Sequence, residues 1–339
     1  MADKVIKSIK PLGFPWETED PFLFCAYHND AFPQGNDDLG PKTSLQGRNI
    51  GQDFEIKDGW RMYHGDKVPG FPVHPHRGFE TVTVVQQGLV DHADSMGAAG
   101  RYGRGDVQWM TAGKGVQHSE MFPLVNADKP NPLELFQIWL NLPAAKKMVE
   151  PHFAMLWADK IPRCQFADET GNRITVDIIA GQLDGQQALA PPPDSWAGDA
   201  ANLVAIWTIV LSPGARWILP ATEPGISRNL YLYRGVSLSI DGREIAPINK
   251  VALQSDVEVE LQNGHQESRL LLLQGRPINE PVAQYGPFVM NTNDEIRKTF
   301  REYEDTKFGG WPWPSADPVH HGKGRFAKHA DGKTEEMEG

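Results

Sequence analysis

The sequence is short of cysteine and of long apolar runs, and each shortage excludes a class of protein. Cys25 and Cys164 are the only cysteines among 339 residues, too few for a disulfide framework and at a spacing that matches no zinc motif. The N-terminal segment has no apolar core of signal-peptide length, and no later run approaches the roughly 20 apolar residues that span a membrane. We therefore expect a cytoplasmic protein with reduced, buried thiols and no membrane contact.

Basic residues are also scarce relative to acidic ones. The chain has 33 lysines and arginines against 44 aspartates and glutamates, which gives a formal charge of −11 and a pI near 5.5. A free-standing nucleic-acid-binding protein needs a basic face, so direct contact with DNA or RNA is not expected. An acidic surface still permits contact with another protein, including one that is itself bound to DNA.

Glycine and proline, by contrast, are abundant, and they separate short runs of strand-like sequence. There are 33 glycines and 27 prolines. Residues 59–142 contain several such runs, among them "TVTVVQQG" and "LELFQIWLNLP", and residues 175–275 have the same texture. Closely spaced strands of this kind predict an all-β fold of antiparallel sandwiches or barrels. The length of the chain predicts two domains.

Three segments depart from this texture. Residues 184–201 are rich in proline, alanine and glycine, which indicates a long surface loop. The stretch "MNTNDEIRKTFREYEDTKFG" predicts a short C-terminal helix, capped by Thr292 or Asn293 and ended by paired glycines. From Trp311 onward the sequence is polar, and we expect a disordered tail at 311–339, apart from its tryptophans, which can dock on the folded body.

Two histidines stand one residue apart in the stretch "HPHRGFET", which begins at His74. Along a strand, residues i and i+2 point to the same face, so His74 and His76 can approach one metal ion at roughly 2.0–2.2 Å per imidazole nitrogen. Pro75 between them cannot donate a hydrogen bond to a neighbouring strand, which predicts that the pair lies at a strand start or a sheet edge. Two ligands alone make a weak site.

A second pair of candidate ligands stands in the stretch "TAGKGVQHSEMF". His118 and Glu120 are again i and i+2, just after a glycine-rich turn. Together the two pairs would supply three imidazoles and one carboxylate, which leaves open positions on a six-coordinate ion. By ligand type alone this set suits Fe(II), Mn, Ni, Cu or Zn, and the open positions suit substrate chelation and dioxygen chemistry.

These stretches resemble the pirin family within the cupin superfamily. "GFPVHPHRGFETVTVVQQG", followed by "GRGDVQWMTAGKGVQHSEMFP", is similar to the paired pirin signature, and "ELFQIWLNLP" and "EPVAQYGPFVMNT" also resemble pirin segments. Carried over residue by residue, the resemblance implies that one Fe ion is bound by His74, His76, His118 and Glu120.

The same resemblance implies a two-domain bicupin. An N-terminal metal-binding cupin domain would occupy residues 1–155, and a C-terminal cupin domain without metal would occupy residues 156–310. The C-terminal half has no His-x-His pair, and its His265 stands alone in a polar turn.

Several residues near the two motifs are expected to support the site rather than to bind the metal. Glu80 stands where a general cupin keeps a metal-ligand glutamate, but in pirins that carboxylate comes from the second motif, so Glu80 is expected to support the site or anchor a strand. Arg77 is expected to pair with a nearby acid. Candidates for the cavity wall, or for plain sandwich core where they are apolar, are Gln108, Trp109, Met110, Phe79, Gln137 and Trp139. Four further histidines lack partners at ligand spacing and are not assigned to the site: His28, His64, His92 and His152.

Family resemblance also implies a function. Known pirins act as quercetin dioxygenases, which implies that this protein uses dioxygen to cleave a flavonol-like small molecule, with carbon monoxide as the second carbon product and Glu120 as the acceptor of the 3-hydroxyl proton. Other pirins are iron-containing partners of transcription factors or metabolic enzymes, so a redox-sensing regulatory protein is the alternative. A cupin without redox chemistry is a third hypothesis, which zinc as the only bound metal would favour. We expect a monomer in each case.

Overall fold

The chain folds into short antiparallel strands, and an α-helix lies near its C-terminus. The computed structural model describes residues 5–337. The strands of the first half are β1 (Ile6–Pro11), β2 (Phe22–Asp30), β3 (Gly70–His76), β4 (Phe79–Gln87), β5 (Leu89–Asp94), β6 (Ala99–Gly103), β7 (Val107–Thr111), β8 (Val116–Met121), β9 (Leu133–Asn141) and β10 (His152–Leu156).

The second half continues in the same way. Its strands are β11 (Arg163–Ala167), β12 (Arg173–Ala180), β13 (Gln182–Leu183), β14 (Gln186–Gln187), β15 (Ala205–Leu211), β16 (Arg216–Leu219), β17 (Ser227–Arg234), β18 (Leu238–Ile240), β19 (Arg243–Ile245), β20 (Asn249–Leu253), β21 (Val259–Asn263), β22 (Ser268–Gly275), β23 (Ala283–Tyr285), β24 (Phe288–Met290), β25 (Arg325–Lys328) and β26 (Thr334–Met337). Helical segments are α1 (Asn293–Thr306) and the 3₁₀ turns Ala144–Lys146, Trp196–Gly198, Ala200–Asn202 and Lys307–Gly309. The all-β prediction is confirmed.

The chain forms two compact units, and neither is one continuous segment. The histidine unit contains Ala26–Ala158 and the residues from Glu280 onward, and the companion unit contains the residues up to Cys25 and Asp159–Asn279. The predicted boundaries at 155 and 310 differ from this division. The N-terminal residues up to Cys25 belong to the companion unit, and the residues from Glu280 onward belong to the histidine unit. In the companion unit β1 pairs with β20, far along the chain, and backbone pairing over such a separation has no local signal in the sequence.

The histidine unit is a sandwich of two sheets. A five-stranded sheet has the order β10-β7-β4-β9-β2, and a six-stranded sheet has the order β26-β25-β6-β5-β8-β3. One apolar core joins them, since it combines Val85 and Leu135 of the first sheet with Val90 and Tyr102 of the second. The β-branched residues of "FETVTVVQQ" suit β4 at the centre of this packing, and β3 lies at a sheet edge, as Pro75 predicts.

The companion unit has its own two sheets and its own core. A seven-stranded sheet has the order β1-β20-β17-β22-β15-β12-β11, and a four-stranded sheet has the order β16-β21-β18-β19. Its core is apolar, with Ile209, Leu230, Leu261 and Leu272 all buried. The loop predicted at 184–201 begins at the turn between β13 and β14 and includes β14, and two 3₁₀ turns lie at its C-terminal end.

The prediction of a disordered tail at 311–339 is wrong for the part that the structure describes. Strand β25 pairs with β6, and β26 pairs with β25. Ala327 of β25 is fully buried, so the tail covers a strand edge that would otherwise expose unpaired backbone groups. The expected docking of a tryptophan is confirmed, because Trp313 donates its indole N–H to the Asp94 carbonyl at 2.7 Å.

Helix α1 begins where the sequence predicts. The Thr292 hydroxyl accepts a hydrogen bond from the Glu295 amide, as an N-cap does. The helix ends at Thr306 rather than at the paired glycines, because Lys307 adopts a left-handed conformation with φ of 50°. Within residues 5–337, no helix is both long enough and apolar enough to cross a membrane.

Candidate metal centre

The two histidine motifs meet on neighbouring antiparallel strands. Strand β3 pairs with β8, with His74 directly opposite His118, and the register shifts between Phe71 and His74. Directly opposed residues in an antiparallel pair point to the same face. The i, i+2 spacing of His74 and His76 adds the second imidazole of β3 to that face, so the strand geometry assembles the cluster that the sequence predicts.

Three imidazoles form a compact group. Ring centroids lie 4.4 Å apart for His74 and His118, 4.8 Å for His74 and His76, and 4.9 Å for His76 and His118. One ligand nitrogen from each ring lies within 4.8 Å of the others. His76 and His118 are buried, whereas His74 is partly exposed, so the group is accessible from the His74 side.

Backbone carbonyls orient two of the rings. Nδ1 of His74 lies 2.8 Å from the Pro72 carbonyl, and Nδ1 of His76 lies 3.3 Å from the Pro287 carbonyl. Because a carbonyl can only accept, each Nδ1 carries the proton and each Nε2 keeps its lone pair. This is the arrangement that metal-ligating histidines usually have.

Burial keeps the rings neutral. It lowers the pKa of His74 to about 4. Burial, with repulsion from the neighbouring imidazoles, holds the pKa of His76 and that of His118 well below the ordinary value of 6.5. Neutral imidazole is the form that binds a metal, so at neutral pH no proton has to leave these rings first.

Glu120 lies beside the imidazole group but is held by neutral partners. Its Oε2 is 3.9 Å from Nε2 of His118. The Gln137 amide donates to Oε2 at 3.2 Å, and the Thr83 hydroxyl lies 3.0 Å from Oε1. Burial raises the pKa of Glu120, against the lowering influence of His92 and of these hydrogen bonds. The carboxylate is outside the group of three mutually close ligand atoms, although it faces the same space.

These residues fit a metal ion. Both ring nitrogens of His118 are buried, and neither has a hydrogen-bond partner among the residues that the structure describes. A buried polar atom without a partner is costly, and a metal ion bound to one of these two nitrogens would remove the cost at that nitrogen. Three neutral nitrogens and a nearby carboxylate are hard-to-borderline donors of the kind that first-row ions prefer.

Aromatic rings flank the group on the β4 and β9 side. The His76 ring lies 5.1 Å from Phe79 and 5.3 Å from Trp139, and these two rings lie 4.2 Å from each other. Phe79 is buried and Trp139 is partly exposed. Of the predicted wall candidates, Phe79, Trp139 and Gln137 therefore contact the site, whereas Trp109 lies opposite Val82, on the other face of the sheet from Thr83.

His92 is a site neighbour that the sequence analysis misses. It is buried, it lies opposite Glu120 in the β5–β8 pairing, and its ring is 5.5 Å from that of His118. Its Nε2 lies 3.2 Å from Asp94. His92 and Asp94 are also an i, i+2 pair on a strand, and this spacing is the one local signal that could have identified them.

Glu80 and Arg77 have the supporting roles expected of them. Glu80 accepts a hydrogen bond from the Thr111 hydroxyl on β7 at 2.7 Å, and by strand alternation it faces away from Thr83 and the site. It therefore anchors a strand. Arg77 pairs with the acid Glu302 of α1, with Nη1 at 2.8 Å from Oε2.

The chain is similar to known proteins in both halves. The family model described as Pirin matches residues 15–140, and that described as Pirin C-terminal cupin domain matches residues 206–309. A Pseudomonas aeruginosa protein named "Putative quercetin 2,3-dioxygenase" is 38% identical over 247 residues, which are 71% of this chain and 80% of that protein. Human pirin is 33% identical over 254 residues, 73% of this chain and 80% of its own.

A solved structure is similar to this chain over most of its length. The crystal structure of quercetin 2,3-dioxygenase from Acinetobacter baumannii superposes with a TM-score of 0.70 at 26% identity, over 91% of this chain and 99% of that one. Together with the match to a C-terminal cupin domain, this similarity confirms the bicupin fold.

Proposed function

This chain belongs to the pirin family, and we propose that it is a metal-dependent dioxygenase that opens a flavonol ring with dioxygen. The observation that carries the proposal is the buried group of three neutral imidazoles with a carboxylate beside it and a partly exposed side at His74. Relatives named for quercetin 2,3-dioxygenase activity support the choice of substrate class.

In the proposed site one ion is held by His74, His76, His118 and Glu120. Fe(II) is our first choice, on the family resemblance, while Mn, Ni, Cu and Zn share the same ligand preferences. When bound, Fe(II) would supply Lewis acidity toward the flavonol 3-hydroxyl and redox chemistry toward dioxygen.

Glu120 is the proposed acceptor of the 3-hydroxyl proton. Because burial raises its pKa, its carboxylate is a stronger base than an exposed glutamate would be. Gln137 and Thr83 fix the orientation of the carboxylate. As the proton transfers to a carboxylate oxygen, the Thr83 hydroxyl can turn toward Gln137 Oε1, which lies 2.8 Å away.

Phe79 and Trp139 are proposed to position the substrate and to exclude water. Their rings form an apolar surface next to His76, and a planar flavonol can pack against such a surface. Trp139 and His74 are both partly exposed, so the substrate would enter between them.

The test is metal analysis of anaerobically purified protein, followed by oxygen uptake and quercetin absorbance with the iron-loaded form. We expect His74→Ala to lose metal and turnover, and Glu120→Gln to lose turnover. His152→Ala changes an exposed histidine on β10 and serves as the matched control. The proposal fails if the iron-loaded protein consumes no oxygen and leaves quercetin unchanged over hours.

That negative outcome would favour the redox-sensing regulatory alternative. A partner protein whose affinity for this chain changes when the iron is oxidised would then identify the function. We further propose that the protein acts as a cytoplasmic monomer. Cys25 and Cys164 are both free and buried, as suits a reducing compartment, and gel filtration with light scattering tests the monomer.

A further inference from the structure

A row of aromatic side chains leads from the protein surface to His74. Phe54 is 38% exposed, and His64 and Phe71 are partly exposed. Ring centroids lie 4.8 Å apart for Phe54 and His64 and 5.8 Å apart for His64 and Phe71. The Phe71 ring centroid lies 6.3 Å from that of His74, the partly exposed member of the imidazole group. We call Phe54, His64 and Phe71 the outer aromatic row.

A β-bulge in β3 places Phe71 on the face that carries the imidazoles. Phe71 lies directly opposite Glu120, and His74 lies directly opposite His118, so two residues of β3 face one residue of β8 between these positions. On a regular strand, residues three apart point to opposite faces, and the extra residue of a bulge changes this. Because directly opposed residues share a face, Phe71 points to the same side of the sheet as Glu120 and His74.

The orientation of His64 is fixed by two hydrogen bonds. Its backbone amide donates to the Gly70 carbonyl at 3.1 Å, and its Nδ1 lies 2.8 Å from the Gly51 carbonyl. Because a carbonyl can only accept, Nδ1 carries the proton and Nε2 is left as an acceptor. Nε2 has no hydrogen-bond partner among the residues that the structure describes. Burial is the main cause of the low pKa of His74, and the nearby His64 lowers that pKa further.

Phe54 is exposed although the backbone beside it is firmly held. Asp53 exchanges two backbone hydrogen bonds with Tyr63, at 2.8 and 2.9 Å. The buried Asp53 carboxylate accepts hydrogen bonds from the Met62 amide at 2.8 Å and from the Arg48 guanidinium at 3.0 Å. An exposed aromatic ring on an ordered loop is a preorganised apolar surface, which lowers the entropic cost of binding a ligand.

Two aromatic surfaces therefore adjoin the imidazole group. Phe79 and Trp139 lie next to His76, and the outer aromatic row begins next to His74. A flavonol also has two aromatic parts, the fused rings that carry the 3-hydroxyl and a phenyl ring, the B ring, that is joined to them by a single bond. With the 3-hydroxyl at the imidazoles, one part can pack against each surface.

We propose that the outer aromatic row binds the B ring and selects flavonols that carry hydroxyl groups on it. Phe54 and Phe71 pack against the ring, and Nε2 of His64 accepts a hydrogen bond from a B-ring hydroxyl. A flavonol without such a hydroxyl leaves that acceptor unpaired, which is how a site built for a hydroxyl discriminates against analogues that lack it. The inference rests on the proposed function, which places the 3-hydroxyl at the metal centre.

Titration calorimetry on the full-length, zinc-loaded protein tests the proposal, with quercetin and galangin as probes. Galangin is the flavonol that lacks the B-ring hydroxyls, and zinc allows binding to be measured without turnover because it has no redox chemistry. We expect quercetin to bind roughly three- to tenfold more tightly, as one hydrogen bond allows. His64→Phe keeps a ring and removes the acceptor. It should bind quercetin as weakly as galangin and leave the Kd of galangin unchanged.

Two variants of the loop test the packing surface. Phe54→Ala should raise the Kd of both flavonols roughly threefold or more, because it removes a ring contact that both make. Ile56→Ala is the matched control, since Ile56 is 64% exposed on the same loop, and it should change neither Kd. The proposal is overturned if the unmodified protein does not prefer quercetin, if His64→Phe keeps the preference or weakens both flavonols alike, or if Ile56→Ala acts like Phe54→Ala.

The same measurements separate this inference from the proposed dioxygenase activity. Metal content should be equal in all three variants and in the unmodified protein. A preference for quercetin in the zinc-loaded protein, without turnover by the iron-loaded protein, would refute the dioxygenase activity and support the role of His64. Turnover of quercetin without any preference over galangin in binding would do the reverse.

Discussion

Replacing Arg77 with methionine should loosen the strand that presents the imidazoles. The Arg77 side chain is 3% exposed. Its Nε donates to the Lys114 carbonyl at 2.6 Å, and its Nη1 donates to Glu302 at 2.8 Å. The guanidinium carbon lies 4.4 Å from the Phe308 ring centre. Because Arg77 directly follows His76, these contacts fix the end of β3 against α1 and its C-terminal turn.

The magnitude follows from how much of each contact is buried. The Glu302 side chain is 49% exposed, so its ion pair contributes at most about 1 kcal/mol. Leaving the Lys114 carbonyl unsatisfied costs about 1–3 kcal/mol, and the contact with Phe308 adds about 0.5–1 kcal/mol. Methionine keeps most of the apolar stem. We therefore expect Arg77→Met to lower the free energy of local opening by about 2–4 kcal/mol, and Glu302→Gln by less than about 1 kcal/mol.

Hydrogen exchange of the α1 amides measures this opening free energy directly. Arg297→Met is the matched control, since Arg297 is exposed on the same helix and pairs with Asp294 of that helix. The hydrogen bond from Arg77 lowers the pKa of Glu302, so its stabilisation is present above pH 4.5 and is lost as the pH falls through the lower, folded pKa. The reasoning is refuted if Glu302→Gln costs as much as Arg77→Met, or if Arg77→Met costs no more than Arg297→Met.

Three further predictions concern the site and the tail. Glu120→Gln should lower quercetin turnover roughly hundredfold or more at saturating iron, and Gln137→Leu should lower turnover less. Equal losses would contradict the role of Glu120 as a base, because they would show that only the orientation of its side chain matters. Without metal, the histidine unit should lose stability as the pH falls from 6.5 toward 4, because the pKa of His74 is about 4 in the folded protein and higher in the unfolded chain. In urea unfolding, His74→Gln should make the free energy of unfolding depend less steeply on pH. An unchanged pH dependence would contradict this prediction. Ala327→Asp should remove hydrogen-exchange protection from residues 325–337, because it buries a charge in β25. Metal content should be retained. Retained protection would contradict the pairing of β25 with β6.

The core of the candidate site could be predicted because its signal is local. On a strand, alternation alone puts His74 and His76 on one face, and the same rule applies to His118 and Glu120. Proline between the first two predicts the sheet edge where β3 lies. What brings the pairs together is one antiparallel pairing, β3 with β8, and two matched ligand pairs make that pairing a reasonable expectation.

The position of His92 could not be predicted from strand alternation alone. Its proximity to His118 depends on the register between β5 and β8, which places it opposite Glu120, and a shift of one residue would turn it to the other face of the sheet. The hydrogen bonds that hold Glu120 come from Thr83 and Gln137, on the opposite sheet. Such contacts depend on sheet packing, for which single residues in the sequence give no signal.

The tail and the unit boundaries could not be predicted for a related reason. Residues 325–337 are polar and look unable to form a core of their own, and that assessment is correct for the isolated segment. Their order comes from an existing strand, β6, whose edge offers unpaired backbone groups. The composition of a segment indicates how much apolar surface it can bury by itself. It does not indicate whether another strand offers backbone groups with which the segment can pair.

Residues from the C-terminal part of the chain contact β3 at two residues and also contact Arg77, which directly follows β3. These contacts hold in place the strand that carries His74 and His76. The Val73 amide donates to the Ala316 carbonyl at 2.7 Å, His76 Nδ1 lies 3.3 Å from the Pro287 carbonyl, and Arg77 pairs with Glu302. As an edge strand interrupted by Pro72 and Pro75, β3 has few backbone bonds of its own to fix its position. The C-terminal segment supplies those constraints. We therefore expect changes that break these three contacts to alter metal affinity without touching any ligand, as losses of supporting contacts commonly do.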